Sequence, residues 1–237
     1  YSEQAEVYDQ QDEKNIRRIT YIQKMNEKIA QDLAQTKKID RLLAVACGTG
    51  RRVLNIREVS GLDYKIVGVD ANGQMCQKAE KRGLQMFNNQ ISEVDLEENT
   101  FDAATFLYAF GHLPNEEQRK AALKKIHYAL KPGAALYFDV FNLHDQLEWG
   151  PQILVNHQKQ SLDQLGYQLG DTFYKRVEGK NLSFLHYFLK DEIETLLAFC
   201  GFECAWMKYL GYRQNCGEEV GPSEGSFFIK ALKRKTS

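Results

Sequence analysis

Proline and cysteine are both scarce, with 4 and 5 residues in a chain of 237. So little proline excludes collagen-like and extended Pro-rich architectures. Five scattered cysteines exclude a disulfide scaffold, because an odd number leaves one unpaired. That thiol content suits a reducing compartment, and a cytoplasmic location is expected. Charge of one sign is also lacking: 31 Lys and Arg face 32 Asp and Glu, for a net charge of -1. Nothing in that balance draws the chain to a phosphate backbone or an anionic bilayer, so neither nucleic acid nor membrane is the expected partner. No apolar run approaches the roughly 18 residues that a membrane helix needs. The longest, such as Phe106 to Phe110, suit buried strands. What is present is ordinary for a globule: 43% hydrophobic and 27% charged residues. At roughly 150 residues per domain, the length predicts a single domain over 1–237 that carries an insertion.

Hydrophobic spacing then orders the elements. Ile16, Ile19, Ile22, Met25, Ile29 and Leu33 recur at steps of three and four, predicting one amphipathic helix from about Lys14 to Gln35 within an N-terminal cap, 1–37. Leu42 to Ala46 is continuously apolar and runs into Cys47-Gly48-Thr49-Gly50, a buried strand entering a glycine turn. A helix over Arg51–Val59, a strand over Tyr64–Asp70 and a helix over Gln74–Arg82 continue a βαβα rhythm. Leu84–Asn88, Phe101–Tyr108 and Ala134–Phe141 read as further strands, with a helix at Asn115–Leu130 closed by Lys131-Pro132-Gly133. The rhythm lapses over 142–189, where Tyr167–Lys175 and Leu182–Leu189 flank Glu178-Gly179-Lys180-Asn181 as an expected β-hairpin. A helix at Asp191–Cys200 and strands at Glu203–Tyr209 and Ser226–Lys233 close the chain. The fold class is therefore α/β, a Rossmann-like doubly wound sheet of seven mostly parallel strands whose last strand is antiparallel. A hairpin is inserted after the fifth strand, and the ligand crevice lies at the strand carboxyl ends.

The residues at those ends carry the chemistry. Gly48 and Gly50 allow a tight turn and the approach of a ligand to main-chain N–H groups. Asp70 lies 20 residues past Gly50, at the tip of the neighbouring strand, where a carboxylate accepts from ribose hydroxyls. A Gly-x-Gly turn alone is equally well a structural bend. Strand, turn, helix, strand and carboxylate in that order predict an adenosine-containing ligand. A dinucleotide fingerprint would place a third glycine where Val53 stands, which disfavours a dehydrogenase. Cys200 and Cys204 have no second pair at metal spacing, so no metal is expected. His186 alternates with Leu182, Phe184 and Phe188 on one hairpin face, and satisfied packing is its expected state.

Leu42-Leu43-Ala44-Val45-Ala46-Cys47-Gly48-Thr49-Gly50 resembles the first motif of the class I S-adenosylmethionine-dependent methyltransferases. Ile66 to Met75 resembles that family's second-strand segment and Phe101 to Thr105 its fourth-strand segment. His112-Leu113 and Leu130-Lys131-Pro132-Gly133 also fall where the family has them. The resemblance covers about residues 40–141. It implies S-adenosylmethionine as cofactor, S-adenosylhomocysteine as product, and an in-line methyl transfer needing no metal. Carried over by position, Ala46, Cys47, Gly48, Thr49 and Gly50 would hold the methionine moiety and Asp70 the ribose. Ala71 and Met75 would border the adenine, with Asn89, Gln90 and Ile91 on its other side. Tyr8 stands where relatives cover the methionine end, or else caps the helix; Leu107 and Tyr108 end the fourth strand beside cofactor and acceptor. His112 and Tyr108 are the catalytic candidates. His112 has an imidazole that titrates near neutrality, though buttressing the loop is an equal reading. Ala44 stands where the family has an acid, which keeps open a degenerate binding protein of the same fold.

Acceptor choice should reside in the N-terminal helix and in 142–189, a substrate-side insertion rich in aromatics: Trp149, Tyr167, Phe173, Tyr174, Phe184, Tyr187 and Phe188. They favour a small, partly apolar acceptor over RNA or protein, in a monomer or homodimer.

Overall fold

A computed structural model describes residues 16–36, 38–175 and 182–235. The first helix, α1 (Ile16–Ala34), turns Tyr21, Met25, Ile29 and Leu33 inward at steps of four. Each such buried side chain contributes about 1.5–3 kcal/mol relative to exposure. Then follow β1 (Arg41–Val45), α2 (Arg51–Ser60), β2 (Lys65–Asp70), α3 (Gly73–Lys81), β3 (Gln85–Asn88) and β4 (Phe101–Phe106). The second half holds α4 (Glu116–Ala129), β5 (Leu130–Val140), α5 (Gly150–Lys159), β6 (Asp171–Lys175), β7 (Leu182–His186), α6 (Lys190–Phe199), β8 (Phe202–Leu210) and β9 (Ser226–Lys233).

Seven strands form one sheet in the order β3-β2-β1-β4-β5-β9-β8. The strands β1 to β5 run parallel, and β9 runs antiparallel to both of its neighbours. The mostly parallel doubly wound sheet expected from the sequence is the one observed. Strand order reverses between β1 and β4, which places a crevice at their carboxyl ends. The central strands are buried on both faces, so their side chains divide by alternation. Leu43, Val45, Ala104, Phe106, Leu136 and Phe138 join the cluster with Ile126 of α4 and Ile193 of α6. Leu42, Ala44, Ala103 and Tyr137 join the cluster with α1 and with Val53 and Ile56 of α2. Val53, where a dinucleotide site would carry glycine, is thus a packing residue between helix and sheet.

The insertion departs from expectation in one element. Residues 150–159 form α5, which buries only Ile153 and His157 besides its first residue. Gly150-Pro151 there opens a helix, proline being tolerated in a first turn whose N–H groups have no intrahelical partner. The hairpin is present, with Phe173 opposite Phe184, but its strands are shorter than expected. On one side the chain turns until Gly170. On the other, Phe188 leaves the hairpin to bridge Asn142, and its carbonyl accepts from Leu143 N–H at 2.9 Å. The hairpin turn at 178–181 and Tyr8 lie outside the described residues. No helix among the described residues is long and apolar enough to cross a membrane.

Candidate active site

After β1 the backbone takes left-handed values at Ala46 (φ 48°), Gly48 (φ 56°) and Gly50 (φ 77°). Glycine adopts this region freely; at Gly50 a Cβ would also meet Leu84 at 3.1 Å. Ala46 adopts it against a steric cost of about 1–2 kcal/mol. The bend is closed by Gly50 N–H donating to the Cys47 carbonyl at 3.0 Å. It is tied to β2 by Gly48 N–H, which donates to Asp70 Oδ2 at 2.8 Å. Asp70 Oδ1 accepts from Asn72 N–H at 2.9 Å, and Asn72 in turn caps α3. Burial holds the Asp70 carboxyl above its ordinary value of 3.8, while the two backbone donors pull it down. Burial likewise pushes up the Cys47 thiol, which leaves it protonated and unreactive.

A cavity of about 400 Å³ lies over this bend. Its walls are Ile19, Ile22, Gln23 and Asn26 of α1, the bend itself, Arg51 and Arg52 at the start of α2, and Leu107 and Tyr108 beyond β4. Arg52 Nε donates to Asn26 Oδ1 at 2.9 Å, and Asn26 Nδ2 donates to Asn55 Oδ1 at 3.0 Å. Arg52 Nη2 meets Met25 Sδ at 2.9 Å, and Nη1 is buried without a hydrogen-bond partner.

Tyr108 also has a left-handed backbone, φ 61°, and its N–H donates to Asp139 Oδ1 at 2.7 Å. Its hydroxyl is bonded to that of Tyr212, and Tyr212 packs on Tyr21 and Trp149 with ring centroids 4.8 and 4.9 Å away. Asp139, at the end of β5, is 6% exposed. Burial raises its carboxyl above the ordinary range, opposed first by the Arg52 charge and then by the Tyr108 N–H.

His112 ends a short 3-10 turn over Phe110–His112. Its Nδ1 lies 2.7 Å from the Phe184 carbonyl, which only accepts, so Nδ1 carries the proton and Nε2 of the neutral ring bears the lone pair. His112 lines a second, smaller space of about 20 Å³ with Tyr108, Asp139, Phe141 and Leu185, room for about one water. Tyr108 borders both spaces.

Of the residues singled out from sequence, Ala46, Cys47, Gly48, Thr49, Leu107 and Tyr108 come together on the larger cavity. Gly50 and Asp70 adjoin it through the bonds described. Ala71, Met75, Asn89, Gln90 and Ile91 do not line it; Met75 and Ile91 are buried, and Ala71, Asn89 and Gln90 are exposed. None of the insertion aromatics lines it either. Phe188 is fully buried against Phe110, and Tyr167 and Phe184 each meet the Phe173 ring edge to face. His186 is satisfied, with Nδ1 2.6 Å from Asp171 Oδ1 and Nε2 3.0 Å from Glu192 Oε1. The sequence reading passed over Asn26, Arg52, Asp139 and Tyr212. Two of these had a signal: Asn26 interrupts the apolar stripe of α1, and Asp139 is the lone acid in an apolar strand.

A family model described as a methyltransferase domain matches residues 42–133, from β1 into β5. A ubiquinone/menaquinone biosynthesis C-methyltransferase from Brucella canis is 33% identical over 99 residues, 38% of this chain and 36% of that protein. The chain thus spans about a third of the length of the first curated relatives it matches. A demethylmenaquinone methyltransferase from Staphylococcus carnosus is 25% identical over 207 residues, 76% of this chain and 78% of that one. The crystal structure of a SAM-dependent methyltransferase from Methanosarcina mazei superposes with a TM-score of 0.69, covering 85% of this chain and 95% of that one. At 20% identity, that last likeness concerns the fold. Matched sequence and strand order agree: residues 42–133 match a methyltransferase domain, and the seven-stranded sheet has the Rossmann-like order of the methyltransferase fold.

Proposed function

We propose that the chain binds S-adenosylmethionine in the 400 Å³ cavity and transfers its methyl group to a small, partly apolar acceptor. The observation that carries this reading is the bend held to β2 by the Gly48–Asp70 hydrogen bond under that cavity. Its residues suit the group. The bend leaves Gly48 without a side chain and with nothing within 4 Å of where a Cβ would stand, so main chain is open to a ligand there. Asp70 keeps a second acceptor site on each oxygen for a ribose diol. Bound S-adenosylmethionine supplies a methyl already activated on a sulfonium, so positioning is the protein's main task.

The bend and Leu107 orient the cofactor, α1 roofs it and excludes water, and the base extends past Asp70, out of the cavity, toward Ala71, Met75 and Asn89 to Ile91. The acceptor reaches the carboxyl ends of β4 and β5, where Tyr108, His112 and Phe141 stand beside the insertion. For an acceptor that must lose a proton, His112 Nε2 takes it while the Phe184 carbonyl fixes the ring. The quinone-pathway relatives and a solved methyltransferase complex with 1,6-didemethyltoxoflavin support a small-molecule acceptor.

A second reading, a binding protein of this fold without turnover, rests on Ala44. That residue is fully buried against the α1 face, where the resemblance expects an acid. Titration calorimetry separates the readings. Saturable binding of S-adenosylhomocysteine, no heat from NAD, and release of S-adenosylhomocysteine on screening candidate acceptors are the expected results. Absence of binding at millimolar ligand refutes the first reading, and binding with no turnover across the screen favours the second.

A further inference from the structure

We propose that a buried ion cluster of Arg119, Asp171, His186 and Glu192 positions the His112 ring, with Arg119 and His186 as the residues that transmit the hold. For its functional meaning the inference rests on the reading that His112 takes the acceptor proton. It adds what keeps that ring in place.

The cluster takes one residue each from α4, β6, β7 and α6, apart from the cofactor cavity. Arg119 is 0%, His186 1% and Asp171 3% exposed. His186 Nδ1 lies 2.6 Å from Asp171 Oδ1, and its Nε2 lies 3.0 Å from Glu192 Oε1. Ionised carboxylates only accept, so the ring between them donates from both nitrogens. Arg119 adds a second cation, with Nη1 3.5 Å from Glu192 Oε1 and Nη2 3.7 Å from Asp171 Oδ1. Two cations thus face two anions, the balance that buried charge requires. Arg119 and the strand of His186 both touch the loop of His112. Arg119 Nε donates at 3.3 Å to the carbonyl of Leu113, the residue that follows His112. On β7, the Phe184 carbonyl accepts from His112 Nδ1 at 2.7 Å, and the His186 carbonyl stands 3.0 Å from where a Cβ on Gly111 would be. The loop is therefore seated between α4 and β7, and the cluster fixes their spacing. The main sheet does not, because the hairpin of β6 and β7 lies outside the seven-stranded ladder. Apolar packing of Leu185 and Tyr187 holds the hairpin down without direction, whereas charge-assisted hydrogen bonds set its orientation.

The test reads the His112 ring itself and needs no turnover. Protein with nitrogen-15 in its histidine rings, five in this chain, shows by NMR which ring nitrogens carry protons, and loss of a signal in His112→Ala assigns His112. In unmodified protein His112 should be protonated on Nδ1 and His186 on both nitrogens. In His186→Ala the His112 signal should shift to that of a ring exchanging between its two tautomers, while calorimetry finds the affinity for S-adenosylhomocysteine unchanged. With an acceptor found by screening, kcat should fall about 100-fold and KM for S-adenosylmethionine stay unchanged. Glu192→Gln is the conservative control. Its amide donates to His186 Nε2 while Nδ1 still donates to Asp171, so the bridge survives on a neutral ring and the His112 signal should not move. An unmoved His112 signal in folded His186→Ala overturns the inference, as does an equal shift in Glu192→Gln. If His186→Ala does not fold, His186→Gln, nearer in size, is read in its place with the same two outcomes. Unaltered turnover in His112→Ala refutes the proton-taking reading alone, and the His112 signal in His186→Ala still decides this inference.

Discussion

Replacing Asp70 tests the cofactor site most directly, because its surroundings set the size of the effect. An ionised carboxylate offers about four acceptor positions. The Gly48 and Asn72 N–H groups occupy one on each oxygen, which leaves one on each for the two ribose hydroxyls. Hydrogen bonds to a charged group contribute about 1.5–3 kcal/mol each. Two of them amount to about 3–6 kcal/mol, or roughly a 150- to 20,000-fold change in affinity. Asp70→Ala should therefore weaken S-adenosylhomocysteine by at least about 100-fold in calorimetry. The variant should remain folded by circular dichroism, since the hydrophobic clusters do not depend on it. Asp70→Asn loses less, because its amide oxygen still accepts from one of the two backbone donors. The pH dependence has a definite sign. Burial raises this carboxyl above 3.8, and protonation turns one oxygen into a donor. Unmodified protein should lose affinity as pH falls through that raised value, whereas Asp70→Asn should stay flat. An affinity within threefold of unmodified protein in a folded Asp70→Ala variant would refute the placement of the ribose at this carboxylate.

Three further outcomes are expected. Asp139 has a folded-state pKa raised above 3.8, so its contribution to stability is full below that value and is lost as pH rises through the raised one. Asp139→Asn should remove that portion of the decline, and urea denaturation from pH 4 to pH 8 that shows parallel curves for both proteins would contradict it. His112→Ala should lower turnover on an acceptor that must lose a proton by about 100- to 10,000-fold while leaving S-adenosylhomocysteine affinity unchanged. Unaltered turnover removes His112 from the mechanism. Asn115 accepts from Gln118 N–H at 2.9 Å and caps α4, so Asn115→Ala should cost about 1 kcal/mol. That corresponds to a fall of about 2–4 °C in melting temperature, and calorimetry showing none would deny the cap its role.

The first half of the fold is legible because each strand is a short continuous apolar run and each helix keeps a 3.6-residue period. The helix α5 was not legible. It buries too few apolar side chains to show a period, and its Gly-Pro start reads locally as a break. At the site, glycine turns and a strand-end acid are local patterns, so the bend and Asp70 could be found in sequence. Tyr212 could not, since it reaches the cavity edge only through the loop between β8 and β9 and its contact with Tyr21, 191 positions earlier in the chain. Arg52 reads as an ordinary surface cation of a polar helix. Only the folded arrangement of Met25, Asn26 and Asn55 around it brings its guanidinium to the cavity wall.

The position of β9 has a consequence for biosynthesis. Ser226–Lys233 is the last strand to emerge from the ribosome among those described, yet it fills the gap between β5 and β8 rather than adding to an edge. Until it arrives, the β5 main chain over Ala135–Val140 lacks its antiparallel partner on one side of the gap, and β8 has no hydrogen-bonding neighbour on the other. The sheet therefore cannot close until Ser226–Lys233 has been synthesised, and a ribosome stalled short of Ser226 displays two unpaired strand borders for chaperones to shield.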